Sequence, residues 1–475
     1  MSLTRNIAHN TFAQIIGKTA STIAGLIAVG MMTRYLGKTG YGQYTTALAF
    51  LQFFGIIVDF GLYIVLIKRL GEHREEDEEH LVNNIFTLRL ISAIILLGLA
   101  PVIAWIFFDY PPIVQGSIVV GSLMFLFVTL NQLLTGVFQK HLQVYWMSLA
   151  EIIGRFVLLG AIWWIIAAQK NLLWIVGAFV LSNAVIFFAA SWKIRTWIHL
   201  RLAWDFALWK KIIREASPIA ISILFNLIYF KLDTLILQHY HGDAATGIYG
   251  APYKVLEVLI SIPAMFAGLL TPILSQSFAS GDRVRFQMIL QRGTDVMAMI
   301  AVPMIVGGIL LGTPIMRFVA GDDFMASGTV LSILILPTAF IFIGNLFSNA
   351  VVAVQQQRKM LWGYIAIALL SIVLYFTFIP PGGLFAAATI TAIVEGLSMS
   401  SAILLVLWTT KIRLSLTVLW KAILASASMG IVIFLMGTWP VLFIIFFAII
   451  VYALILFLLK GFTKDMVLEI IKPSR

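Results

Sequence analysis

The chain has 475 residues, of which 61% are hydrophobic and 11% charged, against about 45–50% and about 25% in soluble proteins. This excludes a string of soluble domains and points to a chain that crosses a membrane many times. Its 32 Lys and Arg against 21 Asp and Glu, a net charge of +11, fit basic loops on one side of a membrane better than a nucleic-acid partner, and none is expected.

The first apolar run, 11–36, follows Arg5. It is too long for a signal-peptide core, lacks a small-residue cleavage site and reads as a retained span. Runs able to cross a hydrocarbon core of about 30 Å follow at 43–67, 82–108, 113–138, 144–168, 172–192, 216–239, 246–278, 288–316, 327–354, 361–379, 384–408, 418–437 and 440–459. The expected fold is an all-α polytopic membrane protein of about 14 transmembrane helices. Taking the connections and the span ends beside them alternately, one side holds 23 basic residues and the other only Arg34, Lys38, Lys170 and Arg317. The positive-inside rule then places both termini in the cytoplasm; the membrane expected is the plasma (inner) membrane.

One pattern recurs. Tyr35-Leu36-Gly37, four residues, then Gly42-Gln43-Tyr44 reappears as Tyr240-His241-Gly242, four residues, then Gly247-Ile248-Tyr249, at an offset of 205. A fainter echo links Gln139-Lys140 with Gln357-Arg358. With the span count, this suggests a duplication of six helices. Because six is even, the halves are parallel repeats about the membrane normal. The division expected is a lobe at 1–192, a cytoplasmic amphipathic linker at 193–215, a second lobe at 216–409, and two additional helices with a tail at 410–475. The lobes would surround a central cavity. The linker carries Trp192, Trp197, Trp204 and Trp209 among Lys and Arg, the pattern of an interfacial anchor helix. The acidic run from Glu72 to Glu79 reads as a solvated turn, or as a gate facing a basic partner.

Cysteine is absent, removing disulfides, Cys-bound zinc and thiol catalysis. His239 and His241 lie close, but no third zinc ligand is suggested. There is no phosphate-binding glycine loop and no H-E-x-x-H, so neither enzyme activity nor a cofactor is expected.

Charge inside a span is costly and usually paired or functional. Asn10, Gln14, Lys18, Ser21 and Gly25 form one polar helix face; so do Gln52, Gly55, Asp59 and Tyr63, and Ser148, Glu151 and Arg155. Later spans offer Asn226 with Asp233, Lys254 with Glu257, Asn345 with Asn349, and Thr391 with Glu395. Glu151/Arg155 and Lys254/Glu257 have ion-pair spacing. Lys18, Asp59, Arg89, Asp295 and Glu395 have no local partner in the sequence. Pro101, Pro263, Pro272, Pro303 and Pro337 are candidate kinks.

Several of these residues carry a family likeness. Tyr35-Leu36-Gly37 with Tyr41-Gly42-Gln43-Tyr44, Asp59-Phe60-Gly61-Leu62, Asp233 followed by Gly247-Ile248-Tyr249 and Lys254, Thr271-Pro272-Ile273-Leu274-Ser275, and Gln357-Arg358-Lys359 resemble the Wzx-type polysaccharide flippases of the multidrug/oligosaccharidyl-lipid/polysaccharide exporter superfamily. The resemblance covers roughly residues 5–410. It implies two six-helix lobes, alternating access and translocation of polyprenyl-pyrophosphate-linked oligosaccharide, with membrane lipids and a polysaccharide polymerase or glycosyltransferases as partners. The last two spans depart from the twelve-helix pattern and look more like the fourteen-helix lipid II flippases.

The candidate substrate-binding residues are Lys18, Arg89, Arg155 and Lys254 for phosphate, with Lys18 and Arg89 foremost, and Gln14, Gln52, Asn226, Asn345 and Asn349 for sugar. Asp59, Asp233, Asp295 and Glu395 either bind H⁺ or Na⁺ or balance the basic groups. Two other classes stay open. A cation antiporter of the same superfamily would tolerate few basic groups in its cavity, and a non-transporting scaffold for polysaccharide synthesis would need no polar cavity.

Overall fold

A computed structural model describes residues 3–72 and 78–461; the side chains of 3–16, 18–19, 72, 218–219, 221–230, 261–262, 264–265 and 269 lie outside that description. Within it the chain is helical and contains no strand. This follows from the solvent: in lipid a helix satisfies every backbone donor and acceptor within its own segment.

The helices are α1 (Leu3–Asp59), α2 (Leu62–Glu72), α3 (Glu78–Phe107), α4 (Pro112–Lys140), α5 (Val144–Ala167), α6 (Leu172–Ile194), α7 (Phe206–Ala279), α8 (Arg283–Ala320), α9 (Met325–Ala353), α10 (Gln357–Thr410), α11 (Thr417–Leu435) and α12 (Val441–Leu458), with a 3-10 turn at Asp322–Phe324. Ten stretches among the described residues are long and apolar enough to cross a membrane. Two of them, Ala20–Gly71 and Gln357–Thr410, run to 52 and 54 residues. At 1.5 Å per residue each greatly exceeds one crossing.

Long helices are interrupted at glycine. Helical dihedrals fail at Gly37 (φ 63°) in α1, Gly242 (φ 75°) in α7 and Gly383 (φ 59°) in α10. Without a Cβ, glycine takes positive φ at little steric cost. Gly37 and Gly242 are the matched glycines of the repeated motif. Pro101, Pro303 and Pro337, by contrast, lie inside helices that continue past them.

Two compact units emerge, Met1–Gly247 and Ile248–Arg475. The first half of α7, as far as Gly247 of the repeated motif, therefore groups with the first unit. There the two motif copies meet: a Cβ on Gly42 would overlap the Asp243 carbonyl oxygen, and one on Gly247 would overlap the Lys38 carbonyl oxygen. Lys38 and Asp243 are themselves 205 apart, so the two contacts are equivalent under the repeat.

The linker differs from the expected continuous helix. Residues 198–205 have no regular structure and lie along the start of α3. Asn83 Nδ2 donates to the His199 carbonyl (3.1 Å) and its Oδ1 accepts the Arg201 N–H (2.9 Å). Thr87 Oγ1 accepts the Ala203 N–H, and Asn84 Oδ1 accepts the Asp205 N–H and the Trp209 indole N–H. Helix resumes only at Phe206, where Asp205 Oδ1 accepts the Leu208 N–H as an N-cap (2.9 Å).

Residues 73–77 of the acidic run lie outside the described residues. Glu78 is not in a solvated turn: it opens α3, is 4% exposed, and meets Lys140 Nζ at 2.8 Å and His141 Nε2 at 3.0 Å.

Candidate functional sites in the two units

In the first unit the positions that lacked local partners find distant ones. Asp59 ends α1, immediately before the turn at Phe60 (φ 45°) and Gly61 (φ 74°) that separates it from α2. Arg89 lies eleven residues into α3, about 16 Å along the helix, and is fully buried. Its Nη2 pairs with Asp59 Oδ1, and its Nη1 donates to the Thr129 carbonyl of α4 at 2.5 Å. Arg89 Nε has no partner among the described atoms. In this structure Arg89 and Asp59 thus hold each other, one expected as a phosphate ligand and the other as an ion ligand. The Tyr63 hydroxyl extends the cluster to Gln139.

A second site joins α1 to α5. Arg155 Nε donates to Ser21 Oγ at 3.3 Å, and Gly17 of α1 abuts Ser148 of α5. Ser21, one member of the polar face read along span 1, therefore meets the polar face read along span 5. Arg155 forms no ion pair with Glu151 one turn away, nor with any other carboxylate among the described residues, despite the ion-pair spacing of the two. Gln52 Oε1 is buried without a partner among the described atoms. Asp233 is fully buried and accepts the Thr234 N–H (2.6 Å). The side chains of Gln14, Lys18 and Asn226 lie outside the described residues.

On the linker side of the first unit, Arg69 at the end of α2 is 3% exposed and binds Glu215 of α7 through two nitrogens (2.9 and 3.1 Å). The Arg69 guanidinium holds the Glu215 carboxyl below its ordinary range, chiefly through this hydrogen bond.

In the second unit Lys254 Nζ meets Glu257 at 2.9 Å, the ion pair anticipated from their spacing. Tyr249, Tyr253 and Tyr375 join through Thr391: Tyr249 to Tyr253 at 2.7 Å, Tyr249 to Thr391 at 3.2 Å, and Tyr375 to Thr391 at 3.3 Å. Glu395, 3% exposed, follows Thr391 by one turn of α10. These tyrosines were missed as a cluster, although Tyr249 and Tyr253 stand at i, i+4 in an apolar span and so share a helix face. Asn349 Oδ1 accepts the Thr271 hydroxyl (2.9 Å), and Asn349 Nδ2 donates to the Asn345 carbonyl (2.9 Å). Asp295 stands apart from these groups, accepting the Gln291 amide at 2.9 Å.

These features define a multi-pass helical membrane protein with ionic and hydroxyl clusters within its spans. A family model described as polysaccharide biosynthesis protein matches residues 7–278, and a second, MatE, matches residues 218–377. The first covers more than half of the chain, which belongs to the polysaccharide biosynthesis protein family.

The chain is 21% identical to the teichuronic acid biosynthesis protein TuaB of Bacillus subtilis, over 91% of its own length and 89% of TuaB. It is 26% identical to the probable flippase AglR of Haloferax volcanii over 112 residues, which span 23% of AglR. Among solved structures, the lipid II flippase MurJ in an inward closed conformation superposes with a TM-score of 0.79 at 16% identity, covering 96% of this chain and 99% of that one. An inward-facing multidrug transporter of the MATE family superposes with a TM-score of 0.66 at 13% identity, covering 83% and 94%. The shared fold is that of both transporters.

Proposed function

We propose that this protein is a flippase that moves polyprenyl-pyrophosphate-linked oligosaccharide from the cytoplasmic to the outer leaflet of the plasma membrane. It does so by alternating access of two six-helix lobes, 1–192 and 216–409, with fourteen crossings in all and both termini in the cytoplasm. It is a transporter and not an enzyme. Polysaccharide polymerase or glycosyltransferases would supply and consume its cargo.

Arg155 carries this reading. It lies eleven residues into the 24-residue α5, about 16 Å from the helix start and near the middle of a core about 30 Å thick. A mid-membrane guanidinium is costly, and the polar partner given to this one is a hydroxyl. It retains donors in the fork geometry that suits phosphate, as a pyrophosphate cargo requires. A cation antiporter would instead need carboxylates at its disposal. Two of the carboxylates it could use are engaged, Asp59 by Arg89 and Glu257 by Lys254.

Flipping of a fluorescent lipid-linked oligosaccharide in proteoliposomes tests the proposal. Arg155→Gln should slow translocation at least about tenfold, the value of a charge-assisted hydrogen bond, while Arg155→Lys keeps part of the rate. Equal rates in all three proteins would overturn the phosphate role. Exchange of a cationic dye for H⁺ or Na⁺, without movement of the oligosaccharide, would overturn the flippase reading itself.

A further inference from the structure

The two sequence repeats hold the segment after their sixth span in matching ways, and the differences between them expose a second site. In the first unit Asn83 and Thr87 of α3 grip residues 199–203. In the second, Gln287 and Gln291 of α8 stand 204 residues further on and grip 413–415. Gln287 Nε2 donates to the Arg413 carbonyl (3.0 Å), while Gln291 donates to the Ser415 carbonyl (2.9 Å) and accepts its N–H (2.7 Å). Beneath the first grip the space is packed: Ile198 is 1% exposed within a buried cluster, and Trp197, Leu200 and Leu208 cover it. Beneath the second lies a cavity of about 570 Å³, a size typical of small-molecule sites.

Its walls are apolar, with Ile343, Phe347 and Leu407 among them, and its rim carries Leu416, 56% exposed. Two opposite charges line it, Asp295 and Arg413. The residue 204 before Asp295 is Ile91, so the carboxylate is particular to the second unit. Asp295 accepts from Gln291, and among the described residues neither Asp295 nor the Arg413 guanidinium takes part in an ion pair. An anion and a cation that share an apolar-walled cavity without pairing call for a ligand carrying both charges in reverse.

We propose that this cavity binds the headgroup of a zwitterionic aminophospholipid of the surrounding bilayer. The primary ammonium donates to Asp295, the phosphodiester accepts from Arg413, and the first methylenes of the acyl chains leave over Leu416. None of the residues that line this cavity carries the flippase reading, so the site stands whether or not that reading does.

Native mass spectrometry of the detergent-purified full chain, titrated with ethanolamine, choline and glycerol phospholipids of identical acyl chains, tests the assignment. The ethanolamine lipid should be retained about tenfold better than the choline lipid, whose trimethylammonium has no N–H to donate. Asp295→Asn should bring the two to parity. Arg413→Gln, at an exposed position, should weaken retention of both, since both carry the phosphate. Leu414→Trp, which fills the cavity, should abolish the preference in a protein whose elution profile is unchanged. Equal retention of ethanolamine and choline lipids by the wild type, preference for the anionic glycerol lipid, or an unaltered preference in Asp295→Asn would each overturn the proposal.

Discussion

The pairing of Arg89 with Asp59 has a measurable energetic signature. Arg89 is fully buried and the Asp59 side chain is 18% exposed, so the two partners are unequally placed to lose one another. Asp59→Asn leaves the guanidinium with neutral acceptors alone, the Thr129 carbonyl and hydroxyl and the new amide oxygen. Removing one member of a buried pair costs about 3–5 kcal/mol, and the amide oxygen left behind puts this case at the low end, about 3 kcal/mol. Arg89→Gln strands a carboxylate that is partly exposed, at about 1–2 kcal/mol. If the residues act as a pair, Asp59→Asn/Arg89→Gln should be less destabilised than the sum of the single variants by about 2 kcal/mol, roughly a thirtyfold difference in the folded-to-unfolded ratio. Denaturant unfolding of the four proteins in one detergent, followed by near-ultraviolet circular dichroism, supplies the cycle. Additivity within about 0.5 kcal/mol would refute the coupling. Flipping by the double variant then separates two roles: a stable protein that transports at the wild-type rate makes the pair structural, and a stable but inactive one gives Arg89 a part in handling cargo.

Gly42→Ala and Gly247→Ala each place a methyl against a carbonyl oxygen of the other motif copy; thermal unfolding should show a loss of about 1–3 kcal/mol for each, and unaltered midpoints would contradict the contact. Asn84→Leu withdraws the acceptor of two half-buried donors, the Asp205 N–H and the Trp209 indole N–H. About 1–3 kcal/mol of local stability should be lost, visible as faster hydrogen exchange across residues 199–209 with little change in α9. The Glu215 carboxyl is depressed by Arg69, so its contribution is complete above the ordinary carboxylate value and disappears as pH falls through the lower folded value. The midpoint of the wild type should therefore hold between pH 7 and pH 5 and fall below about pH 4, whereas Glu215→Gln should lack that component of the acid dependence. Parallel pH profiles for the two proteins would remove the pair from the linker's attachment.

The helices were legible because lipid demands a single periodic solution. Spans expected at 113–138, 144–168 and 172–192 correspond to α4 (Pro112–Lys140), α5 (Val144–Ala167) and α6 (Leu172–Ile194). Hydropathy registers the apolar run and is indifferent to which neighbour it meets. Lys254 and Glu257 were legible as a pair because three residues on a helix settle their proximity. Arg155 was not: its spacing to Glu151 allowed an ion pair, and the packing of α1 through Gly17 brought Ser21 to it instead. Asp59 and Arg89 lie 30 residues apart on different helices, a contact that no local period encodes. The linker failed for a related reason. Its aromatic and basic composition suits an interfacial helix, but Asn83, Asn84 and Thr87 offer its backbone side-chain partners, and a segment so satisfied need not form its own helix.

The repeat explains why the candidate residues do not fall into two equivalent sets. The backbone devices recur: the turns at Gly37 and Gly242, the reciprocal contacts of Gly42 and Gly247, and the side-chain grips of α3 and α8. The charged groups do not. The residue 205 beyond Asp59 is Ala264, and that 204 beyond Arg89, the offset relating α3 to α8, is Gly293, while Asp295 answers to Ile91. Glycine turns and backbone-gripping amides are constrained by geometry, so both copies keep them. Ionic groups in spans are expensive unless they serve a partner, and one ligand with one charged end requires only one copy. The Tyr249, Tyr253, Tyr375 and Thr391 network, a hydroxyl-rich cluster of the second unit, is then the place to look for sugar recognition. Tyr375→Phe removes one hydroxyl from it without disturbing the ring's packing. It should lower affinity for the oligosaccharide by about three- to tenfold while leaving a lipid pyrophosphate without sugar unaffected. Equal loss for both ligands would place the network in general packing and remove it from cargo recognition.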